Sequence, residues 1–217
     1  MDWVWFGLTA IGGYLLGCFS TGYYAGVLIK KRDIRKFGSG NAGATNTLRV
    51  WGMPMAGLVL AGDMLKAILA VLLGRWLCGY AAGPAFGVEA WTLGGYLGGL
   101  MAVVGHNWPV FLKFRGGKGI GPSMGVFLMC SPVLALCCLA FAILLIAVFR
   151  YVSLASILGV TAMFLGILGI QWAGGFADVP IVVLYGIMAA MALYSHRANI
   201  RRLATHSENR ISFSRKG

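Results

Sequence analysis

The sequence has 217 residues, 59% of them hydrophobic, with a mean hydropathy of +0.81 and a net charge of +12. That apolar content excludes an ordinary soluble domain, so the basic excess reads as loops on the cytoplasmic side of a membrane and not as a nucleic-acid surface. The six acids are Asp2, Asp33, Asp63, Glu89, Asp178 and Glu208, and the cysteines at 18, 78, 130, 137 and 138 lack disulfide or metal-site spacing.

In chain order, residues 3–29 form the first expected span, with Trp3 and Trp5 as interface anchors. No basic leader or trusted cleavage site is seen, so this run is expected to be retained. Gly12, Gly13, Gly17, Ser20, Gly22 and Gly26 recur along it and permit close helix contact. Residues 30–50 read as a polar, basic loop. Residues 53–73 are the second span. They carry Asp63 and Lys66, three apart and so on one helix face, which read as a structural pair with a catalytic role as the alternative. Residues 75–89 connect to a glycine-rich third span at 90–104. Residues 120–149 are apolar but interrupted by Ser131-Pro132, giving either one kinked helix or two short ones. Residues 153–171 and 179–194 are the last spans, followed by a basic tail.

Charge decides the number of spans. Seven spans with the N-terminus outside put four basic groups in the cytoplasm. They are Lys30, Lys31, Arg32, Arg35, Lys36 and Arg49; then Lys113, Arg115 and Lys118; then Arg150; then Arg197, Arg201, Arg202, Arg210, Arg215 and Lys216. Together these are 16 of the 18 basic residues. Six spans would move Arg150 and the tail outside. The expected fold is therefore an all-α polytopic membrane protein of seven transmembrane helices, with residues 1–217 as a single domain. The fourth span is short: residues 118–130 rise about 20 Å against a hydrocarbon core of about 30 Å. Re-entrant polar loops on the cytoplasmic face would make up the difference, which requires protein or a water-filled cavity around them.

Residues 105–119 form the most distinctive stretch, being basic, glycine-rich and aromatic within an apolar chain. Gly116 and Gly117 between Arg115 and Lys118 leave the backbone free to turn its N–H groups inward as an anion nest. The glycines also read as the opening of a helix at Ile120, whose N-terminus would favour a phosphate. The alternative is a basic loop that only sets topology. It is not a P-loop, since the first glycine and the Ser/Thr after lysine are missing. Seven spans bring this stretch to one face with residues 38–49, 150–156 and 196–203. Only Asp33 is an acid near that face, so anions are expected there, with no metal and no cofactor.

Three blocks carry a resemblance. They are Gly-Ser-Gly-Asn-Ala-Gly-Ala-Thr-Asn at 38–46 with Arg49, Gly-His-Asn-Trp-Pro at 105–109 with Phe-Arg-Gly-Gly-Lys-Gly at 114–119, and His-Arg-Ala-Asn-Ile-Arg-Arg-Leu at 196–203. In content and order they resemble the signature blocks of the bacterial integral-membrane acyl-phosphate:glycerol-3-phosphate acyltransferases, over essentially the whole chain. Arg115 stands where lysine is more common in that family, and Ala67 where glycine is.

The resemblance implies transfer of a fatty acyl group from acyl phosphate to the 1-hydroxyl of glycerol 3-phosphate, in the bacterial inner membrane, among membrane lipids. It implies that Lys118, Arg49, Asn199 and His196 are catalytic. Ser39, Gly40, Asn41, Gly43, Thr45, Gly116 and Gly117 would join Arg49 and Lys118 around the acyl phosphate. Ser153 or Ser156, with His196 and Asn199, would hold glycerol 3-phosphate, and Asn199 would polarise the carbonyl. Asn41 has capping its own turn as an alternative role, and either serine could cap a helix. His106 and Asn107 read as loop scaffolding. The His-x-x-x-x-Asp pattern of other glycerolipid acyltransferases is absent, because Phe111, Arg201 and Ile211 follow the three histidines at that distance. No Ser-His-acid triad is evident, which favours direct attack by the glycerol hydroxyl. A transporter for a phosphorylated anion is the runner-up, although no inverted repeat is visible. The oligomeric state stays open, a monomer included.

Overall fold

The computed structural model describes residues 3–80, 84 and 86–211. These form ten α-helices: α1 (Trp3–Cys18), α2 (Thr21–Lys30), α3 (Ala44–Trp51), α4 (Met53–Cys78), α5 (Ala90–Asn107), α6 (Ile120–Cys130), α7 (Pro132–Phe149), α8 (Val152–Ala173), α9 (Val179–Ser195) and α10 (Arg197–Ala204). Part of the expected 75–89 connection and the tail cations Arg215 and Lys216 lie outside the described residues.

Four stretches are long and apolar enough to cross a membrane: Trp3–Lys30, Met53–Cys78, Pro132–Phe149 and Val152–Ala173. The pair α9 and α10 passes the same test with a bend of 60° between them. Length and apolarity thus mark five of the seven expected spans. The other two fall short for visible reasons. α5 is diluted by five glycines and ends in His106-Asn107, and α6 has 11 residues. Large apolar side chains face outward on the long helices, including Leu65, Leu69 and Leu72 of α4 and Leu136, Ile143 and Leu144 of α7. A belt of that kind suits lipid and not water.

α1, α4 and α5 form the closest-packed unit. Glycines let their backbones touch: a Cβ on Gly17 would lie 2.2 Å from the Ala102 carbonyl oxygen, and one on Gly98 2.2 Å from that of Ala70. Around this unit, Val71, Val126, Phe127, Met163, Tyr185 and Met188 build the apolar core against α6, α8 and α9.

The first expected span is interrupted at Phe19-Ser20, which the sequence pattern did not reveal. The cause lies on α4. Lys66 Nζ donates to the carbonyls of Gly17 (3.0 Å) and Phe19 (2.7 Å), and it pairs with Asp63 (3.0 Å) and His106 Nδ1 (2.9 Å). The Thr21 hydroxyl donates to the same Asp63 oxygen at 3.0 Å. An unbroken helix would have used those carbonyls internally.

Two other readings are refined. Residues 120–149 are two helices, because Ser131 at φ −149°, ψ 67° separates α6 from α7. The 30–50 loop is helical from Ala44, with Gly43 as N-cap of α3.

Candidate functional site

α5 stops at Asn107, since Trp108 leaves helical geometry and Pro109 follows. Its last carbonyls need donors. Residues 116–117 return across them: Gly117 N–H donates to the His106 carbonyl (2.9 Å) and Gly116 N–H to that of Asn107 (3.2 Å). The approach admits only glycine, because a Cβ on Gly117 would sit 1.9 Å from His106 Nε2. This corrects the expected anion nest, since both amides are committed to the end of α5. Gly119 at φ +84° then turns the chain into α6, which opens at Ile120 as expected.

Lys118 is held between these two glycines. Its Nζ donates to Asn199 Oδ1. Asn199 Nδ2 donates to Glu208 Oε1 at 3.0 Å, so the amide turns its oxygen to Lys118 and its donor to Glu208. Asn199 therefore buttresses the lysine; the donor expected to polarise a substrate carbonyl points at a carboxylate instead. Glu208 is buried, accepts from Arg202 Nε at 2.8 Å and lies 3.9 Å from Arg49. Burial pushes the Lys118 ammonium down to about 8, against the opposing pull of Glu208 and with help from Arg202 and Arg49.

Glu208 is the residue that sequence reasoning missed. Asp33, expected as the only nearby acid, pairs with Arg35 at 2.9 Å. The available signal was a lone acid in a strongly basic tail. The tail folds back because Ile211 N–H donates to the Arg150 carbonyl and Arg210 to the Tyr151 hydroxyl.

His196 is buried at the bend between α9 and α10, with Nδ1 2.8 Å from the Ala192 carbonyl. A carbonyl only accepts, so Nδ1 carries the proton and Nε2 is left as an acceptor. The two candidate serines separate. The Ser153 hydroxyl is buried with no partner, whereas Ser156 donates to Val152 O at 2.9 Å. Ser156 is thus committed to its own helix, and neither serine caps α8.

In the first block, Ser39 N–H donates to Asn46 Oδ1 (2.8 Å), Gly40 N–H to Phe37 O (3.0 Å) and Gly43 N–H to Asn41 Oδ1 (2.9 Å). These amides shape the loop and do not form the expected cradle. Asn41 caps its turn, and its Nδ2 reaches Gly116 O at 3.4 Å, tying the first block to the second. Asn46, another residue given no role, is 2% exposed and gathers the carbonyls of Ile34, Phe37 and Asn41. Thr45 and Arg49 stand one turn apart on one face of α3, whose first-turn amides are the donors this segment offers.

Asn41, Gly116, Gly117 and Lys118 border a polar cleft of about 230 Å³, closed opposite by Tyr194 and Arg197. Asn199 meets Lys118 directly, and Arg49 is linked to it through Glu208 and Asn199. About two turns away, the same pair of helices encloses an apolar groove of about 500 Å³, between Leu97 and Leu100 of α5 and Val183 and Ile187 of α9.

The glycerol-3-phosphate acyltransferase family model matches residues 7–206. The chain belongs to the glycerol-3-phosphate acyltransferase family. Curated members of that name from Thermoanaerobacter pseudethanolicus and Clostridioides difficile are 43% and 40% identical to it, each over 94% of both chains. It is also similar to crystal structures of PlsY (YgiH), an integral membrane glycerol 3-phosphate acyltransferase. The glycerol 3-phosphate form aligns with a TM-score of 0.81 at 33% identity, covering 95% of this chain and 96% of that one. The lysophosphatidic acid form aligns at 0.79 and 32%, covering 95% of each. This chain thus shares its arrangement of helices with those two structures.

Proposed function

We propose that this protein transfers a fatty acyl group from acyl phosphate to the 1-hydroxyl of sn-glycerol 3-phosphate, releasing lysophosphatidic acid and inorganic phosphate. The observation that carries this reading is Lys118, half-buried at a polar cleft where Arg49 and Arg202 share the single carboxylate of Glu208 and Lys118 reaches it only through Asn199. That excess of positive charge suits two phosphorylated substrates. The family and the forms of the solved relatives support glycerol 3-phosphate as acceptor.

In this mechanism the hydroxyl oxygen attacks the acyl carbon, and the carbonyl carbon–oxygen bond to phosphate breaks. The proton passes to the departing phosphate, with His196 Nε2 as the protein acceptor within the site. An acyl phosphate is already activated, so no acyl-enzyme is needed. Catalysis comes from positioning and from charge placed where the phosphate departs. Lys118 follows that charge, Asn199 holds Lys118, and Arg49 with Thr45, Ser39 and the start of α3 binds the donor phosphate. Ser153, whose buried hydroxyl lacks a partner, joins His196 at the acceptor. The groove between α5 and α9 suits the acyl chain, because it lies on the two helices whose ends form the cleft. The donor set is cationic and amide-rich, and its one acid is already held by Arg202, which suits anions and not a divalent cation.

The same proposal includes seven spans in one domain of the bacterial inner membrane: α1 with α2, α4, α5, α6, α7, α8 and α9. The N-terminus lies outside and the cleft faces the cytoplasm. The distribution of basic residues supports this orientation. The decisive assay is phosphate release from acyl phosphate by purified protein. Release should depend strictly on glycerol 3-phosphate and be undiminished by a chelator. Turnover with acyl-coenzyme A alone, or loss of activity to EDTA, would overturn the reading.

A further inference from the structure

The mechanism above makes no use of the buried group Asp63, Lys66 and His106, yet this group ends at the loop that carries Lys118. His106 and both its partners are at most 4% exposed. His106 Nδ1 lies 2.9 Å from Lys66 Nζ and 3.5 Å from Asp63 Oδ1, so the ring is fixed from that side by both charges. Nε2 lies against Gly117, so closely that a methyl added there would be 1.9 Å from it. The carbonyl of the same histidine accepts the Gly117 N–H, so His106 grips that residue by backbone and by ring. Lys66 is itself fixed by Asp63 and by two carbonyls of the interrupted first span. A rigid line therefore runs from α1 through Lys66 and His106 to the residue next to Lys118.

We propose that His106 is a positioning residue: its imidazole, braced from behind by Lys66, sets the place of Gly117 and thereby aims the Lys118 ammonium at the departing phosphate. This rests on the reading of Lys118 given above. The chemistry of the two ring nitrogens separates bracing from aiming. Asparagine at 106 keeps an acceptor near Lys66 but leaves space beneath Gly117, while glutamine reaches toward Gly117.

The test is a size exchange read in kcat and KM, on protein that is monodisperse in detergent. Gly117→Ala should lose about 10²-fold in kcat, the scale for a misplaced electrostatic group. His106→Asn should lose roughly tenfold in kcat with KM for both substrates little changed, because aim and not binding is disturbed. Combining Gly117→Ala with His106→Asn should recover at least about tenfold over Gly117→Ala alone, since the methyl enters the vacated space. His106→Gln should lose less than His106→Asn and should not rescue Gly117→Ala. A double variant no better than Gly117→Ala, or losses confined to KM, would overturn the proposal. So would failure of both His106 variants to fold, which would make the histidine a folding element only. Wild-type turnover and the Lys118→Ala loss test the underlying reading separately, so absent rescue with those two intact sinks the strut alone.

Discussion

Two lysines of this molecule, Lys66 buried and Lys118 half-buried, keep different company. Lys66 is surrounded by a carboxylate, an imidazole and two carbonyls, and every one of its protons has a taker. Lys118 has one amide oxygen, with the nearest carboxylate shared among Arg49, Arg202 and Asn199. Saturated charge is architecture, since any added ligand would have to displace a partner. Undersupplied charge invites an anion. The difference between structural and catalytic cations is thus written in the number of acceptors around each one.

Several substitutions would break or sharpen that contrast. The largest effect is expected at Lys66. Lys66→Ala leaves Asp63 buried beside no cation and should cost about 3–5 kcal/mol of stability. Thermal denaturation in detergent should show it, and an unaltered melting curve would contradict the architectural role. Lys118→Ala should instead keep its melting behaviour and lose about 10²–10³-fold in turnover. Lys118→Arg should recover only part, because a planar guanidinium presents its donors differently.

The pH dependence should be smaller and directional. In the proposed mechanism Lys118 works as the ammonium, which burial pushes down to about 8, so the charged form is present below that pH and lost above it. The free-enzyme profile of kcat/KM should therefore fall as pH rises past about 8, by up to tenfold per unit. Replacement by arginine should remove that limb, and its survival in Lys118→Arg would assign it to another group. The smallest effect is expected at Lys113, which is exposed at φ +54° on the same loop. Lys113→Ala should stay within several-fold of wild type. Equal losses at 113 and 118 would mean that generic loop charge, and not an aimed ammonium, is at work.

How much of this was legible in the sequence depended on whether the cause was local. The opening of α6 at Ile120, the division at Ser131-Pro132 and the meeting of three polar blocks follow from glycine, proline and charge along the chain. The interruption at Phe19-Ser20 was hidden because its cause, Lys66, stands on another helix. The anion nest failed for a similar reason. Gly116 and Gly117 are free to turn their amides inward, but the end of α5 had prior need of those donors. Asn199 was recognisable as important, while the direction of its amide depended on Glu208, an acid in a tail that looks like a solvated run of cations. Ser153 and Ser156 are alike by composition, and only the carbonyl of Val152 tells them apart.

The interruption in the first span also bears on how the chain enters the bilayer. The carbonyls of Gly17 and Phe19 precede Lys66 by 49 and 47 residues, and His106 follows it by 40. A helix arriving with a bare lysine at its centre is disfavoured by about 2.5–3.5 kcal/mol on insertion scales. During N-to-C synthesis the acceptors at the end of α1 and in the break before α2 are made first, and Asp63 accompanies the lysine on the same helix face. The second charged helix can therefore dock onto groups already in the membrane, while the imidazole closes the arrangement only when α5 is complete. A chain lacking residues 1–19 would bring Lys66 into lipid with only Asp63 beside it, and should be handed to quality control before the cleft ever forms.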